Sequence, residues 1–182
     1  TREYLESWNK DLLKDEFIGD TVEARFIEDG WLGNPPATPE EIQANEDRLG
    51  VRFPANYRSF LEVANGWIYP GNDMDFPGKL RSVDSIEWAS DGEAAVVEAF
   101  ADARAAITVT DQQYFYYGGD QDPIHVRSEY LEHCLLISDE SEGGVYLLNK
   151  AVQTDDGEWE AWHLNSHLPG AYRRQSFSHL IR

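Results

Sequence analysis

The stretch Thr38-Pro-Glu-Glu-Ile-Gln-Ala-Asn-Glu-Asp-Arg-Leu-Gly-Val-Arg-Phe-Pro-Ala-Asn-Tyr-Arg-Ser-Phe-Leu-Glu-Val-Ala-Asn-Gly66 reads as two helices written almost back to back. Thr38 fits an N-cap followed by Pro39, whose fixed φ suits the first helical position and whose missing N–H would be unpaired there anyway. Glu41 is placed to close a capping box onto Thr38, and Glu40 complements the positive end of the helix dipole. Ile42 and Leu49 keep one face apolar, and Gly50 supplies the left-handed residue that ends the helix, which predicts Pro39 to Leu49. After the extended link through Val51 and Phe53, Pro54 opens a second helix. Tyr57, Phe60, Leu61 and Ala64 fall at i, i+3, i+4 and i+7, a single buried stripe, and Asn65-Gly66 stops it. The segment holds no catalytic group.

Working outward, Leu5, Trp8 and Leu12 mark an amphipathic helix from about Arg2 to Lys14. Asp29-Gly30 and Gly33-Asn-Pro-Pro36 form a turn-rich connection, and Pro70 to Gly78 reads as an exposed loop carrying Met74 and Phe76. Trp67-Ile-Tyr69 and Leu80 to Val83 suggest strands; Asp84 or Ser85 caps a helical turn through Trp88, and Asp91 caps a helix to about Ala105. Ile107-Thr-Val109 and Tyr114-Phe-Tyr-Tyr117 look extended, because β-branched and aromatic residues suit a pleated surface. Cys134-Leu-Leu-Ile137 is continuously apolar, as a central strand covered on both faces would be, and Val145 to Leu148 is its hairpin partner. From Glu158 to Leu164, Trp159, Ala161 and His163 share one face, while Glu158, Glu160, Trp162 and Leu164 share the other.

Glu46, Leu49-Gly50, Phe53-Pro54, Tyr57, Phe60-Leu61 and Asn65-Gly66 resemble the N-terminal motif of the SUKH superfamily, the Smi/Knr-type domains. The rest of the chain follows that family's order. Arg127 to Asp139 resembles its central strand and the turn leading into it, Gly144 to Asn149 the paired strand, Gly157 to His163 the next, and Ser176 to Ile181 the closing helix. The resemblance covers about Asp20 to Arg182 and implies one α+β domain. Its mostly antiparallel sheet would have about five or six strands packed by several helices, with residues 1–19 as an N-terminal helix packed on it. It further implies a binding module that in bacteria commonly serves as an immunity protein, neutralising a cognate toxin of a polymorphic toxin system in the producer's cytoplasm. The alternative is a regulatory scaffold recruiting cellular proteins, as in the yeast cell-wall regulators.

Charge narrows the partners. Thirty-four acidic against fifteen basic residues give a net charge of −19, which disfavours nucleic acid and anionic membranes and favours a basic protein. One cysteine, Cys134, precludes an internal disulfide framework, and no apolar run approaches the ~20 residues of a membrane helix. No secretory signal opens the chain, so a cytoplasmic site is expected. The start at Thr1 without methionine and the end at Arg182 suggest processing or trimming.

No motif obliges an enzyme, and the weakest of three readings is an enzyme whose site assembles from distant residues around Cys134 or His163. His163 and His167 lie four apart but in a strand end and loop, and no Glu follows His163 as the zinc-protease pattern requires. His133 adjoins Cys134, yet neighbouring strand residues point to opposite faces, which favours a buried cysteine over a nucleophile. The acid pairs Asp73/Asp75, Asp120/Asp122 and Asp155/Asp156 lack calcium-loop spacing, and the glycines form no phosphate loop. The expectation is a non-enzymatic domain without metal or cofactor. The nominated partner surface is Asp139, Glu140 and Glu142 with Asp155, Asp156 and Glu160, supported by Tyr116, Tyr117 or Trp162. For any one carboxylate taken singly a solvated loop charge is the better explanation, and Trp162 equally fits beneath the C-terminal segment.

Overall fold

The computed structural model describes residues 2–16, 18–69, 78–92, 97, 99–100 and 108–181. The opening helices are α1 (Arg2–Leu12), α2 (Ile18–Thr21), α3 (Ala24–Asp29), α4 (Pro39–Leu49) and α5 (Ala55–Leu61). They are followed by β1 (Glu87–Trp88), α6 (Asp111–Tyr114), β2 (Cys134–Leu136), β3 (Gly144–Gln153), β4 (Trp159–Asn165), β5 (Ala171–Arg174) and α7 (Phe177–Leu180). Every strand pairs antiparallel with its neighbour in the order β1-β2-β3-β4-β5. The α+β domain expected from the sequence is therefore the one observed.

Helix α4 has the predicted bounds and the predicted cap. The Glu41 N–H donates to Thr38 Oγ1 at 3.2 Å, the Thr38 N–H donates to Glu41 Oε2 at 2.7 Å, and Gly50 closes the helix at φ 68°. The Tyr57 and Phe60 rings of α5 meet Phe177 of α7 at centroid distances of 4.9 and 5.0 Å, joining the N-terminal motif to the end of the chain. Trp8 of α1 stacks on Trp67 at 5.0 Å, and Asn9 receives the Leu32 N–H while donating to the Gly30 carbonyl.

Alternation along the strands divides the core in two. Leu135, Tyr146, Leu148, Trp159 and Ala161 face the helical layer, together with Leu5, Ile42, Phe60 and Phe177. On the opposite face Cys134, Leu136, Val145, Leu147, Trp162 and Leu164 pack with Val97, Phe100, Val109, Tyr114, Val126 and Leu131. Burial on both faces explains the unbroken apolar run in β2.

Several local expectations are corrected. Trp67 and Leu80 form isolated bridges, not strands, with Leu80 also bridging Ser138. Val83–Ser85 is a 3-10 turn, and Glu87–Trp88 pairs with β2 where a helical turn was expected. Strand β5 follows the loop after Asn165 and had no counterpart in the sequence reading. Tyr114 ends a helix instead of starting a strand, because Thr110 and Gln113 form a second capping box. Pro70 to Phe76 and most of the Asp91–Ala105 helix lie outside the described residues, as does Ile107.

Strand β3 departs from regular pairing near its end. Asn149 faces Glu160 and Gln153 faces Trp159, so four steps on β3 answer one on β4 and Lys150, Ala151 and Val152 are surplus. Bulges of this sort bend a strand and re-aim its side chains.

Candidate functional site

The bulge lies opposite Glu160, which is 1% exposed on the second face of the sheet. A carboxylate there needs donors from every side, since burying an unpaired charge is prohibitive. Its Oε2 accepts from the Tyr114 hydroxyl at 2.5 Å, the Trp162 indole at 2.6 Å and the Asn149 amide at 2.9 Å. Its Oε1 accepts from the Tyr117 hydroxyl at 2.7 Å and from Arg173 Nη1 at 3.3 Å. Arg173 is fully buried and lies over the rings of Tyr114 and Tyr117, with its guanidinium carbon 4.2 and 5.5 Å from their centroids. Burial first, then the charge of Glu160, pushes both phenols far above the ordinary tyrosine range, so they remain donors.

This cluster fixes the segment that follows α6. Tyr117 is anchored through its hydroxyl, and the Tyr116 carbonyl accepts from Gln121 Nε2 at 2.9 Å while Gln121 Oε1 receives the Arg173 N–H at 2.6 Å. With those neighbours held inward, Phe115 and Tyr116 remain 49% and 46% exposed. Phe115 rests edge-on against Tyr114 at 5.1 Å, with the Arg127 guanidinium 6.0 Å from its ring. Tyr116 lies against Gly118, where a Cβ would collide with its ring.

Beside them is a cleft of about 280 Å³ lined by Phe115, Tyr117, Val152, Thr154 and Gln175 around Glu160. Among the described residues that line it there is no lysine or arginine. Thr154 Oγ1 donates to Asp156 at 2.5 Å, tying the carboxylate of the β3–β4 turn to the rim.

The nominated surface is thus divided. Asp139, Glu140 and Glu142 precede β3, whereas Asp155 and Asp156 follow it; β4 spans the same length from Trp159 to Asn165, so at about 3.3 Å per residue the two ends of β3 are roughly 20 Å apart. Glu160 and Trp162 are buried on the sheet's covered second face, 1% and 0% exposed, so of the nominated residues these two do not reach the surface themselves. Tyr117 is half-buried, and of the nominated aromatics Tyr116 is the one classed as exposed. Asp139 is already paired with Arg81 at 3.1 Å and Lys79 at 3.6 Å. Phe115, Val152, Thr154 and Gln175 escaped the sequence reading. The Thr110-Asp-Gln-Gln113 signature was the available signal for Phe115, since a helix ending at Tyr114 turns the next aromatic outward.

A hollow of about 340 Å³ beside the α4 cap is lined by Asn34, Glu41, Asn65 and Asp84, but Asn34 donates to the Asn65 carbonyl, Asn65 accepts the Val83 N–H and Glu41 closes the capping box. The Cys134 thiol is buried and pushed well above its ordinary value, so no thiolate forms near neutrality. Among the described residues no group of three or more His, Cys, Asp and Glu could hold a metal ion, and no helix is long and apolar enough to cross a membrane.

The model of the SMI1 / KNR4 family (SUKH-1) matches residues 36–181. No curated protein matches the chain.

Proposed function

Because the chain belongs to the SMI1 / KNR4 (SUKH-1) family, we propose that it is a non-enzymatic protein-binding module that neutralises a cognate, basic bacterial toxin in the producer's cytoplasm. The family match carries this reading, and the net charge of −19 supports a basic partner. Charge of that size accelerates encounter with a positive surface, and at physiological salt its reach is about 8 Å, so it guides the final approach. Exposed aromatics then supply the desolvated anchor that charge alone lacks.

The contact is placed at the β3–β4 end, with Tyr116, Asp155 and Asp156 at the surface and Tyr117, Glu160 and Trp162 holding it from beneath. Asp139, Glu140 and Glu142 contribute to steering from the far end of β3. Co-expression with the C-terminal domain encoded by the adjacent gene tests the function. Rescue of growth together with a stable complex is expected. Failure of both would reject neutralisation of that partner and favour the regulatory scaffold.

A further inference from the structure

Building on the protein-binding reading, we propose that the cleft beside Glu160 is an anchor pocket for one cationic side chain, arginine or lysine, presented by a basic protein partner. Its shape comes from the β3 bulge, whose surplus Val152 joins Phe115 and Tyr117 as apolar lining. A long cationic side chain can lay its methylenes along such a surface while its charged head meets aromatic faces and carboxylates.

Other occupants fit less well. An aliphatic group would strip water from the side chains of Gln153 and Gln175 without giving a hydrogen bond in return. An anion would meet Glu160 and, at the rim, Asp156. Arg173 balances Glu160 internally, so the net pull on a cation comes from exposed Asp155 and Asp156 and from the chain's overall charge. The pocket is also preorganised: Tyr117 is fixed by Glu160, the Tyr116 backbone by Gln121, and Phe115 by Tyr114 and Arg127. Little ordering cost remains on this side of the contact.

Titrating the isotope-labelled chain with a hexaarginine peptide, and with hexaglutamate as control, tests the pocket without a toxin. Amide shifts centred on Phe115–Tyr117 and Val152–Asp156, with movement of the Trp162 indole N–H, are expected for hexaarginine alone. A Phe115→Ala/Tyr116→Ala double variant should weaken binding about 3- to 30-fold, the range of a cation–π contact. Gln175→Lys fills the cleft with its own cation and should cause a similar loss without removing a ring. Shifts centred on Asp139–Glu142, shifts spread evenly over the acidic turns, or unchanged affinity in both variants would overturn the pocket. If the peptide maps to the cleft but no adjacent-gene toxin domain binds, the pocket stands and the toxin reading falls. If the toxin domain binds the wild type and both variants equally, the toxin reading stands and the pocket falls.

Discussion

Glu46 and Glu160 are both 1% exposed, yet they are buried in different ways. Glu46 accepts the Phe53 N–H at 2.9 Å, Arg58 Nη1 at 3.0 Å and Arg52 Nη1 at 3.3 Å, all from within twelve residues of itself. It staples the link between α4 and α5, and both arginines keep contact with water. Glu160 gathers donors from α6, the segment after it, β3, β4 and β5, across separations of up to 46 residues, and its arginine is fully buried. A local carboxylate fastens a motif; a distant one assembles the ground on which a surface stands.

The largest expected effect follows from that difference. Glu160→Ala strands Arg173 in the core without its counter-charge and should cost about 3–5 kcal/mol in urea denaturation. Glu46→Ala leaves two arginines able to turn to solvent and orphans chiefly the Phe53 N–H, a loss of about 1–3 kcal/mol. Equal losses would remove the distinction between the two sites.

Alkaline titration separates the regions more gently. Tyr114 and Tyr117, beside Glu160, have pKa values raised above those of the unfolded chain, as does buried Tyr57. Their contribution is complete below about pH 10, where unfolded tyrosine is protonated. Above it the unfolded state loses protons that the folded state keeps, so stability falls, by up to tenfold in the folding constant per pH unit for each protected tyrosine. Phenolate absorbance should show these three ionising only with unfolding; normal titration in the folded protein would contradict their burial.

The smallest effect on stability is expected at the surface itself. Phe115→Ala/Tyr116→Ala should lower it by less than about 1 kcal/mol while weakening partner binding, because both rings are half in water already. A large loss of stability would make these rings core, and the comparison would need a new surface. Reversing charge at Glu140 and Glu142 to lysine should leave stability almost unchanged, whereas Asp139→Lys would set a cation against Arg81 and Lys79 and lower it. Charge reversal in this turn should slow association and flatten its salt dependence more than it speeds dissociation.

The same contrast explains what could be read from residues alone. The Thr38 cap, Pro39, Gly50 and the stripe from Tyr57 to Ala64 express short-range physics, so both helices were legible. Alternation in β4 gave the correct two faces, but not that both are covered: the cover over Glu160 comes from Tyr114 and Tyr117, more than forty residues earlier. Aromatic richness at Tyr114–Tyr117 reads as strand propensity, although Thr110 and Gln113 carry the same capping signature as Thr38 and Glu41. The bulge at Lys150–Val152 left no composition signal, because a surplus of residues is defined only against the partner strand.

Hydrogen–deuterium exchange of the chain, alone and with the adjacent-gene toxin domain, tests the placement of function most directly. Protection is predicted at Phe115–Tyr117 and Val152–Asp156, with the Asp139–Gly143 turn little changed. Protection confined to Asp139–Gly143, with the aromatic segment and the bulge unaffected, would contradict it.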